Sequence, residues 1–108
     1  MTDTLVKKAC IIDDDKLYVS LIRMLIRKNK FAVELLVFEN GKLAFNYFKE
    51  ELTKEIPSLP EVILLDLNMP IMDGWEFLEA VEPFADMLNA KLFVVSSTIN
   101  PLEVSKVN

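Results

Sequence analysis

Four short apolar runs, separated by stretches with helical spacing, constrain this chain more than any other feature. Residues 9–12, 33–38, 62–65 and 92–95 have the length and apolar content of strands. The third, Val62-Ile63-Leu64-Leu65, lacks the alternation of a strand wetted on one side, as expected where both faces are covered. After the first run, Leu17, Leu21 and Leu25 fall on one line with Tyr18, Ile22 and Ile26 beside it, which predicts a helix. Asp14 or Asp15 can cap its start. Asn40-Gly41 breaks the chain before Leu43, Ala44, Tyr47, Phe48 and Leu52 mark a second helix. Pro57 and Pro60 bracket a loop. Gly74 precedes Trp75, Phe77, Leu78 and Val81, which suit a third helix. Pro83 should end or kink it, with a short further turn through Leu88.

Strands separated by helices pair in parallel through right-handed crossovers, and such open sheets hold their ligands beyond the C-terminal strand ends. Those ends carry Asp13, Asp14 and Asp15 after the first run, Asp66 after the third, and Ser96 and Ser97 after the fourth. The topology therefore predicts that these polar groups converge on one rim.

Composition narrows what that rim can do. At 108 residues the chain is one domain, with 52% apolar residues, enough for a sizeable core. The net charge of −5 and the absence of a basic stripe with interleaved aromatics argue against direct nucleic-acid binding. The chain has no histidine, which removes imidazole bases, imidazole metal ligands and phosphohistidine from its own chemistry. Its single cysteine, Cys10, cannot form an internal disulfide and reads as a small buried hydrophobe. The apolar run after Lys7 and Lys8 is too short for a signal-peptide core or a membrane span, so the chain is expected to be cytoplasmic and not membrane-bound.

Crowded carboxylates repel: two charges about 4 Å apart cost roughly 4 kcal/mol at an effective dielectric near 20. A fold that gathers Asp13 to Asp15 beside Asp66 needs something to compensate their charge, and the natural compensation is a hard divalent cation. Mg²⁺ suits an oxygen-only set of one or two carboxylates plus a phosphate, whereas zinc has no His or Cys ligand set here. The simplest competing account, that Asp13 to Asp15 only cap a helix, holds for one of the three and leaves Asp66 unexplained.

With those residues in view, the sequence resembles the response-regulator receiver domains of two-component signalling. Cys10-Ile11-Ile12-Asp13-Asp14-Asp15 looks like their first strand and acidic pair. Residues 64–74, Leu-Leu-Asp-Leu-Asn-Met-Pro-Ile-Met-Asp-Gly, closely resemble the segment around their phosphoacceptor. Val94-Val95-Ser96-Ser97 looks like the strand carrying their switch hydroxyl. The resemblance implies a flavodoxin-like (CheY-like) α/β fold of strand order 2-1-3-4-5. It implies Asp66 as phosphoacceptor and metal ligand, Asp13 and Asp14 as the acidic pair on Mg²⁺, and the Asn68 carbonyl as a further metal ligand. Ser96 is then the switch hydroxyl and Asp15 the helix cap. Pro70 and Gly74 shape the loop, with Gly74 free to take a positive φ. The implied partners are a sensor histidine kinase or histidine phosphotransfer protein and a downstream protein target. The implied chemistry turns over no external substrate: such a domain assists only its own phosphorylation and dephosphorylation.

The family pattern includes a fifth strand ending in lysine and a fifth helix. No position here matches that lysine; Lys91 and Lys106 are out of register for it. Asn100, Pro101 and Glu103 have capping-box-like spacing for a short helix. Residues 1–108 are thus expected to be one receiver domain, C-terminally incomplete, with the fourth strand as an edge prone to self-association. Two rival readings are a haloacid-dehalogenase-type phosphatase and a receiver-like module that binds partners without phosphorylation. The phosphatase would use Asp13 as nucleophile, Asp15 as acid/base and Ser96 as phosphate ligand.

Overall fold

The computed structural model describes residues 6–95. Ser96, Ser97 and the expected Asn100-Pro101-Glu103 helix start lie outside the described residues. The elements run β1 (Val6–Ile12), α1 (Lys16–Lys28), β2 (Ala32–Phe38), α2 (Gly41–Glu51), β3 (Val62–Asp66), α3 (Gly74–Val81), a 3₁₀ turn (Glu82–Phe84), α4 (Ala85–Leu88) and β4 (Lys91–Val95). All pairings are parallel, in the order β2-β1-β3-β4. The flavodoxin-like order 2-1-3-4-5 is therefore present through its fourth strand. Pro83 ends α3 as expected, with a single-turn helix beyond it.

Residue parity divides the sheet into two faces. Cys10, Ile12, Ile63 and Leu65 point to the side covered by α2 and α3, where they pack with Ala44, Phe48, Phe77 and Val81. The rings of Phe48 and Phe77 lie 6.0 Å apart at 52°. Burying an aliphatic or aromatic side chain is worth about 1.5–3 kcal/mol, so this cluster dominates stability. Cys10 is fully buried there, and desolvation pushes its thiol up to about 12, which fits the hydrophobe reading.

The other face lies under α1, and here the expected apolar stripe divides. Val19 is buried, with Tyr18, Ile22 and Ile26 half-buried beside it, whereas Leu17, Leu21, Met24 and Leu25 are exposed. Both lines of α1 are apolar, so periodicity could not say which one meets the sheet. The tertiary arrangement selects the Val19 line.

Candidate functional site

Register brings the key carboxylates together. Ile12 of β1 pairs with Leu65 of β3, so the next residues along the two strands, Asp13 and Asp66, emerge side by side. Neighbouring strands lie about 4.8 Å apart, which sets the spacing of such a pair. The Asp13 N–H donates to the Phe38 carbonyl at 2.9 Å, carrying the β1–β2 pairing one step beyond the strand. Asp15 then caps α1: its Oδ1 accepts from the N–H groups of Leu17 and Tyr18 at 3.0 and 3.1 Å. That cap turns the chain at Asp14, whose carboxylate joins the other two. Oxygens of Asp13, Asp14 and Asp66 all lie within 4.8 Å of one another. Asp13 and Asp66 are buried, at 6% and 5% exposure, and Asp14 is exposed.

Burial and mutual repulsion leave this cluster short of positive charge. Desolvation first, then the charges of Asp66, Asp14 and Asp15, push Asp13 up to about 6, although its Oδ1 accepts the Asp15 N–H at 2.9 Å. Asp66 is raised by desolvation and by Asp14, against the Asn68 N–H, which donates to its Oδ1 at 3.2 Å. Each like-charge contact at this range is worth about 3–4 kcal/mol at an effective dielectric near 20.

The loop after Asp66 is fixed at several points. The Gly74 N–H donates to the Leu67 carbonyl at 3.1 Å, and the Gly41 N–H at the start of α2 donates to the Met72 carbonyl at 3.0 Å. Asp73 and Glu76 form a reciprocal capping box at the start of α3, with bonds of 2.8 and 3.0 Å. The expected positive φ at Gly74 is not present: no glycine has a positive φ among the described residues. Gly74 is required for space instead, since a Cβ there would stand 2.5 Å from the Asp66 carbonyl oxygen and 2.7 Å from the Leu67 Cα. The left-handed position falls on Ile71, at φ 69°, a conformation of order 1–3 kcal/mol in cost.

The structure thus brings Asp13, Asp14 and Asp66 together, ties Asn68 to Asp66 through its main chain, and leaves Ser96 outside the described residues. Asp15 is held as a helix cap, which takes away the acid/base that a phosphatase built on Asp13 would need. Sequence reasoning missed Tyr18 as a neighbour of the site. Desolvation first, then the charges of Asp13 and Asp66, raise its hydroxyl above the ordinary tyrosine range. Its place three residues after the capping Asp15 was the available signal. It was masked because the tyrosine also fits the apolar pattern of α1.

Comparison with known proteins gives a consistent result. The family model described as "Response regulator receiver domain" matches residues 9–106. The chain is 26% identical over 98 residues to response regulator Rcp1 of Synechocystis sp., covering 91% of this chain and 67% of that protein. It is 33% identical over 79 residues to a protein-glutamate methylesterase/protein-glutamine glutaminase of Desulfotalea psychrophila. That match covers 73% of this chain and only 20% of the relative. Among solved structures, the phosphorylated cyanobacterial phytochrome response regulator RcpA superposes with a TM-score of 0.76 at 28% identity, covering 92% of this chain and 71% of that one.

Proposed function

The chain belongs to the response-regulator receiver family, and from that premise we propose that Asp66 accepts a phosphoryl group from a phosphohistidine on a sensor histidine kinase or histidine phosphotransfer protein. The observation that carries this reading is the meeting of Asp13, Asp14 and Asp66 at the C-terminal rim of the sheet, with Asp66 ending a buried strand. A carboxylate oxygen of Asp66 forms the new bond to phosphorus as the phosphorus–nitrogen bond to the donor imidazole breaks. The imidazole nitrogen keeps that electron pair, and the product is an aspartyl phosphate. The Asn68 N–H on Oδ1 holds the Asp66 carboxylate in orientation. In phosphoryl transfer such positioning and charge neutralisation make up most of what a protein contributes.

The donor set fits Mg²⁺: three carboxylates at one point, with neither imidazole nor accessible thiolate beside them. Asp13, Asp14 and Asp66 would hold the ion, with the Asn68 carbonyl as a further oxygen. When bound, it supplies the positive charge that the crowded carboxylates and the incoming phosphoryl oxygens lack.

Ser96 is assigned the role of hydroxyl partner to the phosphoryl oxygens, drawing in the end of β4 and biasing a two-state equilibrium there. The output is a protein–protein contact with a downstream target, and residues 1–108 belong to a single receiver domain. No described helix is long and apolar enough to cross a membrane; the cytoplasm is the proposed location. Intact-mass analysis after incubation with acetyl phosphate and Mg²⁺ tests the proposal. One phosphoryl group should appear, fail to appear when the metal is chelated before the donor is added, and be absent in Asp66→Asn. An equal yield in Asp66→Asn would refute the assignment.

A further inference from the structure

A second concave surface lies at the opposite end of the sheet from the acidic rim. The C-terminal half of α1 and the start of β2 enclose a groove of about 440 Å³ lined by Arg23, Ile26, Arg27, Lys30, Val33 and Leu35. Ala32 at its end is aligned with Val6, at the N-terminal end of the parallel sheet. Arg23 and Arg27 are the only arginines in the chain. They are one turn apart on a single helix line, so both face the same groove.

The charge here runs against that of the whole molecule. Residues 16–30 include Lys16, Arg23, Arg27, Lys28 and Lys30 and no acidic residue, in a chain of net charge −5. Glu34, the nearest carboxylate in the strand, points to the other face of the sheet and pairs with Lys8 at 3.8 Å. Neither Arg23 nor Arg27 has an ion-pair partner among the described residues. A guanidinium fork matches a carboxylate in bidentate fashion. The floor between the arginines and the strand is aliphatic, and no aromatic side chain lines it for a nucleobase to stack on. β2 is hydrogen-bonded to β1 alone among the described strands, so its outer main-chain groups can accept an added strand.

We propose that this groove docks an extended acidic segment of a partner protein. The segment adds along the outer edge of β2. Every second side chain then faces α1, and these alternate between carboxylates on Arg23 and Arg27 and aliphatic groups on Ile26, Val33 and Leu35. The site is separate from the acidic rim and adds a second, phosphorylation-independent contact to the receiver.

The test is an NMR titration of the ¹⁵N-labelled 108-residue chain with a short synthetic peptide. Glutamate and valine take turns at every second peptide position and serine fills the rest. Saturable shifts are expected at residues 23–35, weakening with salt. Affinity should fall about tenfold or more in R23E/R27E, while acetyl-phosphate labelling of Asp66 is retained. Val33→Asp, at an exposed position, should weaken binding in the same way and stands in if the double variant does not fold. No saturable shift, shifts elsewhere on the chain, or undiminished affinity in both variants would overturn the proposal. Preferential binding of phosphatidylserine vesicles through the same arginines would overturn it too, since it would identify a lipid-facing surface.

Discussion

The two faces of the central sheet are built from similar apolar residues and end in different states. Under α2 and α3, Phe48, Phe77, Ile12 and Leu65 are at most 1% exposed, and the same elements pin the loop that follows Asp66. On the α1 side Ala9 and Ile11 of β1 are buried too, but Leu17 on the outer line of the helix is 71% exposed and Phe93 of β4 is 52% exposed. The difference teaches that rigidity and accessibility are divided between the faces. The closed face stabilises the fold and positions the acidic rim, and the open face leaves apolar surface available for association.

The largest contrast should come from truncation on the two faces. Phe77→Ala is expected to cost about 3–5 kcal/mol, the range for emptying a packed aromatic site. Leu17→Ala, exposed on α1, should stay within about 0.5 kcal/mol. Urea denaturation of the two variants checks this, and similar losses would erase the distinction between the faces.

A smaller effect is expected where the closed face meets the site. Gly74→Ala puts a Cβ against main-chain atoms of Asp66 and Leu67, which cannot swing aside as a side-chain tip could. It should cost about 1–3 kcal/mol and slow phosphorylation by acetyl phosphate, because relief requires Asp66 itself to move. A stable variant phosphorylated at the wild-type rate would show that the contact does not position Asp66.

The acidic rim should reveal itself through pH. Asp13 is raised to about 6, so between the ordinary carboxylate range and that value the folded state holds more protons than the unfolded state. Stability therefore falls as pH rises through this window and stays lower above it. Asp13→Asn should be about 1–2 kcal/mol more stable than wild type at pH 7, after allowance for solvent screening, with little difference near pH 4. Chemical denaturation at both pH values measures it; equal stabilisation at both would point to packing in place of charge.

The smallest expected effect belongs to the open face. Phe93 and the exposed line of α1 should give weak, concentration-dependent self-association, reduced in Phe93→Lys. Sedimentation velocity over a range of concentrations reads this directly, and an unvarying monomer would show that the exposed apolar surface is tolerated.

Much of this division was legible in the sequence, and the parts that were not have physical causes. Parallel strands ending in Asp13 and Asp66 must bring those residues to one rim, so the acidic site followed from the order of the elements. The α1 stripe did not, because the Leu17-Leu21-Leu25 line is as apolar as the Ile22-Ile26 line, and only packing decides between them. Gly74 was recognisable as necessary, but the reason proved to be close main-chain approach, a property of the folded loop that no local pattern encodes. The strain at Ile71 was hidden for the same reason, since a β-branched residue gives no local sign of a positive φ.

The central claim is that the closed face and the strand register make Asp66 the phosphoacceptor, and one measurement tests it most directly. After treatment with acetyl phosphate and Mg²⁺, the chain is reduced with borohydride, which converts an aspartyl phosphate to homoserine, and is mapped by peptide mass spectrometry. Homoserine at position 66, with Asp13 and Asp14 unmodified, is the predicted result. Homoserine at position 13 or 14, or phosphate remaining on a serine or threonine with Asp66 intact, would contradict it.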